Sequence, residues 1–160
     1  MKKQSILFVC LGNICRSPMA ESVMDRLLAE TQLSTEVSID SAGCYGYHEG
    51  ERADARMRQH ASARGYKLNS ISRPITTDDF EKFDLIIGMD DNNIADLMRK
   101  APSAEAQKKI RRMTDYCSAH TVDHIPDPYY GGADGFDLVI DLLEDACSGL
   151  IKQLSTRQKE

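Results

Sequence analysis

Hydrophobic and polar residues divide the chain into segments that alternate between strand and helix patterns. Residues 5–10 (SILFVC) form a continuous apolar run, which is typical of a strand buried on both faces of a parallel sheet. After a short loop, Ser17 and Pro18 predict a helix start, with Ser17 as the N-cap. Apolar residues then recur at intervals of three and four over residues 20–28, which predicts an amphipathic helix. The first unit of the fold is therefore predicted to be strand, loop and helix.

Further strands and helices alternate in the same way along the remaining sequence. The predicted strands are residues 36–39, 84–89 and 109–113. The predicted helices are residues 53–64, 91–100 and 136–154. Such alternation indicates an α/β fold, in which a parallel, doubly wound sheet carries helices on both faces. Because no repeat or linker interrupts residues 1–160, we expect a single domain.

Composition and charge narrow the class of protein. The 160 residues are 41% hydrophobic, and 20 basic against 25 acidic residues give a formal net charge of −5. A chain of this size can bury a core without metals or disulfides. The acidic balance argues against a protein that wraps a nucleic-acid backbone. No stretch approaches the roughly 20 apolar residues that span a bilayer. We therefore expect a cytoplasmic protein with neither nucleic acid nor membrane as a partner.

Five cysteines are scattered along the chain, an odd number in a domain that does not need disulfides. Three of them, Cys44, Cys117 and Cys147, are predicted to be bystanders. Cys117 has a metal-ligand spacing to His120 and His124, but no clear fourth ligand accompanies them. We expect no metal ion and no other cofactor, and at least one remaining cysteine needs a chemical role.

The loop after the first strand, residues 10–17, carries the candidate chemistry, because ligands of open α/β sheets bind beyond the carboxyl ends of the strands. Gly12 and Asn13 tolerate left-handed backbone conformations, so the loop can turn successive N–H groups inward as an anion-binding nest. The helix that follows points its positive end into the same hollow. The planar guanidinium of Arg16 can hold two oxygens of a phosphoryl group. In this setting the thiol of Cys10 is expected to ionise readily and to act as a nucleophile.

The loop and four further segments resemble the low-molecular-weight protein tyrosine phosphatase family. Residues 9–18 (VCLGNICRSP) fit the C-x5-R-S signature of that family. The other matching segments are residues 41–43 (SAG), 54–56 (DAR), 88–90 (GMD) and 125–129 (IPDPY). The resemblance implies the flavodoxin-like phosphatase I fold, with four parallel strands and helices on both faces. It also implies hydrolysis of phosphotyrosine without a metal.

The resemblance, together with the residue types, assigns a role to each candidate. Cys10 is expected to attack phosphorus and form a phosphocysteine intermediate, with Asp127 as general acid and then general base. Arg16 and the loop amides are expected to hold the phosphoryl oxygens. The predicted phosphate-binding loop comprises Leu11, Gly12, Asn13, Ile14, Cys15, Arg16 and Ser17. The hydrogen-bonded network implied for its support comprises Asn13, Ser17 and Ser41. Where the family often has a histidine in this network, we expect Ser70.

The walls of the site and a second cysteine give two further predictions. The predicted substrate pocket comprises Leu11, Tyr47, Tyr129 and Tyr130. Its tyrosine rings favour phosphotyrosine over the shorter phosphoserine. Cys15 lies five positions from Cys10 in the same loop. Two interpretations are open for it: a reversible disulfide that shields Cys10 from overoxidation, or a packed bystander.

The expected partners are phosphotyrosine-containing proteins, among them a tyrosine kinase, and the expected product is inorganic phosphate. Two competing functions use related chemistry. A thiol-dependent arsenate reductase on the same fold needs further cysteines near the end of the third strand, where residues 86–90 (IIGMD) have none. A phosphocysteine carrier of a sugar-transport relay passes its phosphate on and does not need both Arg16 and Asp127. These features favour a phosphatase.

Overall fold

A computed structural model describes residues 3–158 of the chain, in which four parallel strands form one sheet in the order β2-β1-β3-β4. The strands are β1 (Gln4–Cys10), β2 (Val37–Gly43), β3 (Leu85–Gly88) and β4 (Ile110–Arg112). The helices are α1 (Arg16–Ala29), α2 (Ala55–Ala63), α3 (Thr77–Lys82), α4 (Asp91–Lys100), α5 (Ala104–Gln107) and α6 (Ala133–Gln158), with a 3₁₀ turn at Met113–Tyr116. The predicted α/β class and the four-stranded parallel sheet are confirmed.

The two faces of β1 are covered by different helices. Because side chains alternate along a strand, Ile6 and Phe8 point into a core built with α1 and α6. Leu7 and Val9 point into the opposite core, which contains residues of α3, α4 and α5. All four side chains are fully buried. This double burial explains why the sequence of β1 is continuously apolar rather than alternating.

Two short helices, α3 and α5, are absent from the sequence-based prediction. Neither is long enough to show a hydrophobic period, and each depends on polar contacts at its first turn. Thr76 and Asp79 form a capping box at the start of α3. The Ser103 hydroxyl accepts a hydrogen bond from the backbone N–H of Ala106 at the start of α5. The spacing of Thr76 and Asp79 was the available signal in the sequence.

The start of α1 differs from the prediction that Ser17 caps this helix. The helix begins at Arg16 with Cys15 at the N-cap position, and no side chain caps it. Ser17 instead lies in the first turn, where its hydroxyl contacts the Cys10 sulfur at 3.1 Å. Pro18 is the third helical residue, where a missing N–H costs no intrahelical hydrogen bond. The Ser17 side chain therefore serves the loop before the helix rather than the helix end.

The strand register brings the carboxyl ends of three strands together. Cys10 at the end of β1 pairs with Gly43 of β2, and Val9 pairs with Gly88 of β3. β2 lies on one side of β1 and β3 on the other, so the connections that follow these strands diverge at their carboxyl ends. A crevice opens there, which is where open α/β sheets bind their ligands. Within residues 3–158, no helix is long and apolar enough to cross a membrane.

Candidate active site

The loop between β1 and α1 folds around one left-handed residue. Asn13 has a φ of 60°, and Gly12 does not share this conformation. Gly12 instead leaves room for the His48 ring, which would have to shift because a Cβ atom there would lie 2.9 Å from its Cδ2. The prediction that both residues supply left-handed backbone is therefore wrong for Gly12 and right for Asn13. Together they give the loop its tight turn in front of the helix.

Cys10 lies at the bottom of this loop and is 3% exposed. Its sulfur lies 3.1 Å from the Ser17 hydroxyl oxygen and 3.4 Å from the Ser17 backbone nitrogen. Both groups can donate a hydrogen bond to a thiolate, and the backbone N–H belongs to the first turn of α1. A helix N-terminus and hydrogen-bond donors favour the ionised form of a cysteine. The position suits a sulfur nucleophile.

The predicted supporting residues Asn13, Ser17 and Ser41 do lie together. The Asn13 side-chain amide donates to the hydroxyls of Ser17 at 2.7 Å and Ser41 at 3.1 Å, and its oxygen accepts from the Arg73 backbone N–H at 3.1 Å. Ser41 in turn donates to Glu21 at 2.6 Å. Burial raises the pKa of the Glu21 carboxyl, although the hydrogen bond from Ser41 opposes part of that shift. Sequence reasoning missed Glu21 and the backbone of Arg73.

Ser70 does not take part in this network. Within residues 3–158, no hydrogen bond joins Ser70 to Ser41 or Asn13. Ser70 is half-buried beside a cavity of about 100 Å³ that Glu21 also lines. Instead, Ser72 donates to the Gly12 carbonyl at 2.8 Å. The direct contact between Ser41 and Glu21 thus completes the network without the expected serine.

Arg16 is 2% exposed and is held by groups from two other elements. Its Nη1 donates to an Asp90 carboxylate oxygen at 2.5 Å and to the Ile125 carbonyl at 3.0 Å, and its Nη2 lies 3.5 Å from Asp127. Although burial alone would lower the pKa of Arg16, the negative charges of Cys10 and Asp90 raise it, so the side chain remains a cation. Asp90, which the sequence indicated as part of the matching segment 88–90, therefore positions the guanidinium.

The Asp127 segment is fixed to the rest of the fold through its backbone. The Ile125 N–H donates to the Met89 carbonyl at 2.8 Å, which ties the segment to the end of β3. The Tyr129 N–H donates to Asp127 Oδ1 at 3.0 Å. The Asp127 side chain is 30% exposed and borders the same cavity as Cys10. A carboxyl in this position reaches both the solvent and a bound ligand.

A buried carboxylate from α6 anchors the chain that leads to Asp127. Asp145 accepts the backbone N–H groups of residues 118–120 at 2.8–3.1 Å, and His120 Nδ1 lies 2.8 Å from it. Although burial alone would raise the pKa of Asp145, these donors hold it well below its usual range. His124 contacts Asp123 instead. Over residues 3–158, no three His, Cys, Asp or Glu side chains are grouped to hold a metal ion.

The catalytic cavity has a volume of about 210 Å³ and aromatic walls. Tyr47 and Tyr130 stand at its mouth, 67% and 87% exposed. Tyr129 packs edge-on against Tyr130 with the ring centroids 4.9 Å apart, and His48 lies 6.0 Å from Tyr129 on the other side. All the predicted pocket residues line this cavity, namely Leu11, Tyr47, Tyr129 and Tyr130. His48 is a lining residue that the sequence prediction missed.

The other four cysteines lie in environments that keep them neutral. Burial raises the pKa of Cys15 far above its usual value, and burial likewise raises the pKa of Cys44 to about 12. Burial raises the pKa of Cys117 to about 11 and also that of Cys147. Cys15 lines the catalytic cavity together with Cys10, and both are free thiols. Cys15 is therefore placed beside the candidate nucleophile as an un-ionised thiol.

The fold and the cavity place the chain among the α/β proteins whose first strand ends in a cysteine-containing loop at the carboxyl edge of a parallel sheet. The family model for the low molecular weight phosphotyrosine protein phosphatase matches residues 5–160. A low molecular weight protein-tyrosine-phosphatase from Synechocystis is 42% identical over 149 residues, or 93% of this chain and 95% of the relative. The crystal structure of a protein tyrosine phosphatase from Entamoeba histolytica has a TM-score of 0.94 at 47% identity, covering 98% of this chain and 99% of that one.

More distant relatives match along the same length. The human low molecular weight phosphotyrosine protein phosphatase is 36% identical over 151 residues, covering 94% of this chain and 95% of the relative. The chain therefore belongs to the low molecular weight phosphotyrosine protein phosphatase family.

Proposed function

We propose that this enzyme hydrolyses phosphotyrosine in proteins, and small aryl phosphates, through a phosphocysteine intermediate on Cys10. One observation carries the proposal: the Cys10 sulfur, the buried Arg16 guanidinium and the Asp127 carboxyl border a single cavity with tyrosine walls. A nucleophile, a cation for the phosphoryl oxygens and a carboxyl for proton transfer are the groups that this reaction needs. The proposed location is the cytoplasm, and no cofactor is part of the proposed reaction.

In the first step the Cys10 sulfur attacks phosphorus in line with the bond to the phenolic oxygen. The S–P bond forms as the P–O bond breaks, and protonated Asp127 gives its proton to the departing oxygen. Arg16 and the backbone N–H groups of residues 11–17 hold the three equatorial oxygens as charge redistributes. The contacts of Arg16 with Asp90 and Ile125 keep its guanidinium in place before substrate arrives.

In the second step water attacks the phosphocysteine. The Asp127 carboxylate accepts a proton from the water as the new P–O bond forms and the S–P bond breaks. Inorganic phosphate leaves, and the Cys10 thiolate returns to the donors of Ser17, which lie 3.1 and 3.4 Å away. The network through Asn13 and Ser41 fixes the Ser17 hydroxyl throughout the cycle.

The aromatic mouth favours phosphotyrosine over phosphoserine. Cys10 is almost fully buried, so a phosphoryl group must be carried inward to reach it. The phenyl ring of phosphotyrosine supplies that reach and can stack between Tyr47 and Tyr129. The short side chain of phosphoserine would bring the substrate backbone against Tyr130. Proteins with exposed phosphotyrosine, including autophosphorylated tyrosine kinases, are the proposed substrates.

Release of phosphate tests the proposed function against its two competitors. The wild-type enzyme should release inorganic phosphate repeatedly from p-nitrophenyl phosphate without any acceptor protein. A phosphocysteine carrier would stop after one phosphoryl transfer. Thioredoxin-coupled arsenate reduction in the absence of phosphatase turnover would instead identify an arsenate reductase.

The Asp127→Ala variant should slow substrates according to their leaving groups. We expect a loss of kcat/KM, which reports on the first step and not on hydrolysis of the phosphocysteine, on the order of 10²-fold for phenyl phosphate, whose oxygen needs a proton, and a much smaller loss for nitrophenyl phosphates. The rates of a graded series of aryl phosphates measure this dependence. Asp123→Ala is the matched control, because Asp123 lies in the same segment and is exposed. A uniform loss across the series would contradict a general-acid role.

We also propose that Cys15 protects Cys10 from irreversible oxidation. Peroxide converts the Cys10 thiolate to a sulfenic acid; the Cys15 sulfur then attacks the Cys10 sulfur as its proton passes to the departing hydroxyl, so that a disulfide forms and water is released. After brief peroxide treatment, peptide mapping should show a Cys10–Cys15 bond, and reductant should restore activity. The Cys15→Ser variant should lose activity irreversibly under the same treatment. Direct conversion of Cys10 to sulfinic acid in the wild-type enzyme would make Cys15 a bystander.

A further inference from the structure

Two more cavities continue from the catalytic cavity along the start of α2. The first, of about 440 Å³, shares Ile14 and Tyr129 with the catalytic cavity. The second, of about 330 Å³, shares Arg52 and Arg58 with the first and is also lined by Lys67. We call these two cavities together the lateral groove. A substrate chain whose phosphotyrosine occupies the catalytic cavity can therefore extend along this groove.

The lateral groove carries three cations that have no acidic partner. Within residues 3–158, Arg52, Arg58 and Lys67 form no ion pair. The Nε of Arg58 donates to the Ala53 carbonyl at 2.9 Å, which fixes the base of that side chain and leaves its Nη groups for another partner. Arg52 and Lys67 are exposed and Arg58 is half-buried.

The two acidic residues of the groove are already occupied. Glu51 lies 2.8 Å from His48 Nδ1. Asp54 caps α2 by accepting the Arg56 backbone N–H at 2.8 Å, and the same side chain binds the Arg56 guanidinium at 2.9 Å. The Asp54 carboxylate is thus paired with the Arg56 guanidinium, so the groove keeps three unpaired cations against one remaining carboxylate, that of Glu51. In a chain whose net charge is −5, this leaves a local positive strip beside the catalytic cavity.

We propose that the lateral groove binds acidic residues that flank the phosphotyrosine on one side in protein substrates. The inference rests on the proposed phosphatase function and adds a substrate class to it. An acidic segment complements the charge of the groove, and its link to the phosphotyrosine places it there without a separate docking event. Each cation contributes modestly because two of the three are exposed to water, so the preference should come from their sum and should weaken with salt.

Phosphotyrosine peptides with different flanks test this inference. The probes are peptides with Glu-rich residues before the phosphotyrosine, Glu-rich residues after it, or neutral residues on both sides, together with p-nitrophenyl phosphate. For the wild-type enzyme we expect one acidic peptide to exceed the neutral one about tenfold in kcat/KM, chiefly through KM, at low salt. The triple variant Arg52→Gln, Arg58→Gln, Lys67→Gln should reduce that advantage to about twofold or less, while p-nitrophenyl phosphate turnover stays unchanged.

A second triple variant tests whether the preference for acidic peptides comes from the lateral groove or from the overall charge of the protein. Lys108→Gln, Arg111→Gln, Lys152→Gln removes the same three charges from exposed positions outside the groove, and it should keep the preference for the acidic peptide. Equal kcat/KM values for the acidic and neutral peptides in the wild-type enzyme would overturn the inference. An equal loss of preference in both triple variants would also overturn it, because the general field of the protein would then explain the result.

The same experiment distinguishes failure of the groove proposal from failure of the proposed phosphatase function. If the wild-type enzyme turned over neither p-nitrophenyl phosphate nor any peptide, the proposed phosphatase function would be wrong. In that case, binding of acidic residues by the lateral groove is tested with the same peptides carrying a non-hydrolysable phosphonodifluoromethyl group, whose Kd values are measured. A tenfold tighter Kd for one acidic peptide, lost only in the groove variant, supports the groove; equal Kd values overturn it.

Discussion

The Cys10→Ser variant should be folded and inactive. We expect kcat for aryl phosphates to fall by at least about 10⁴-fold, the scale on which removal of a nucleophile slows other covalent catalysts. The physical reason is that a serine hydroxyl at this position stays protonated at neutral pH. The Ser17 hydroxyl and N–H can favour a thiolate, but among residues 3–158 no carboxylate or imidazole forms a hydrogen bond with the Cys10 side chain that could activate an alcohol there.

Steady-state turnover and thermal unfolding of the same samples measure this outcome. Cys117→Ser is the matched control, since Cys117 is half-buried and donates to the Leu142 carbonyl away from the catalytic cavity. Its kcat should stay close to that of the wild-type enzyme. The loop around Cys10 is unchanged in the serine variant, so it should still bind phosphotyrosine peptides. Retention of more than about one-hundredth of the wild-type kcat would remove Cys10 as the nucleophile.

The loop between β1 and α1 could be predicted as part of the candidate site because its residues are close along the chain. Cys10, Asn13 and Arg16 lie within one loop, and the apolar run before them fixes where that loop sits in a parallel sheet. Local geometry then predicts a loop that can surround an anion. Asp127 is different, because no period or spacing connects it to Cys10. It was placed only through the resemblance to a known family.

The remaining contacts depend on packing that the sequence pattern does not reveal. Asp90 is 74 residues from Arg16, and its position before α4 predicted a helix start, which it is, but not an ion pair. Glu21 reads as a solvent-facing position on an amphipathic helix, yet it accepts the Ser41 hydroxyl. Ser17 satisfied the rules for an N-cap and was drawn instead to the Cys10 sulfur. In each case a tertiary partner replaced the role that local sequence favoured.

The Arg16→Lys variant is expected to lose kcat on the order of 10²- to 10³-fold while its positive charge is kept. The wild-type guanidinium uses Nη1 to bind Asp90 and Ile125, while its Nη2 lies 3.5 Å from Asp127 and the residue lines the cavity. A lysine ammonium is a point charge with three donors on one atom, so it cannot remain bound to Asp90 and also hold two phosphoryl oxygens. The loss should therefore appear in kcat more than in KM, because the fork matters most as charge develops on the transferring group.

Arg64→Lys is the matched control for this substitution, because Arg64 also forms ion pairs, with Asp137, Asp141 and Glu144, but lies outside the cavity. We expect its kcat to stay within about twofold of wild type, since surface ion pairs contribute little and touch no substrate. Single-turnover rates with a nitrophenyl phosphate separate phosphoryl transfer from later steps. If Arg16→Lys kept more than about a tenth of the wild-type rate, a point charge together with the loop amides would be enough for phosphoryl stabilisation, and the bidentate geometry of the guanidinium would not be required.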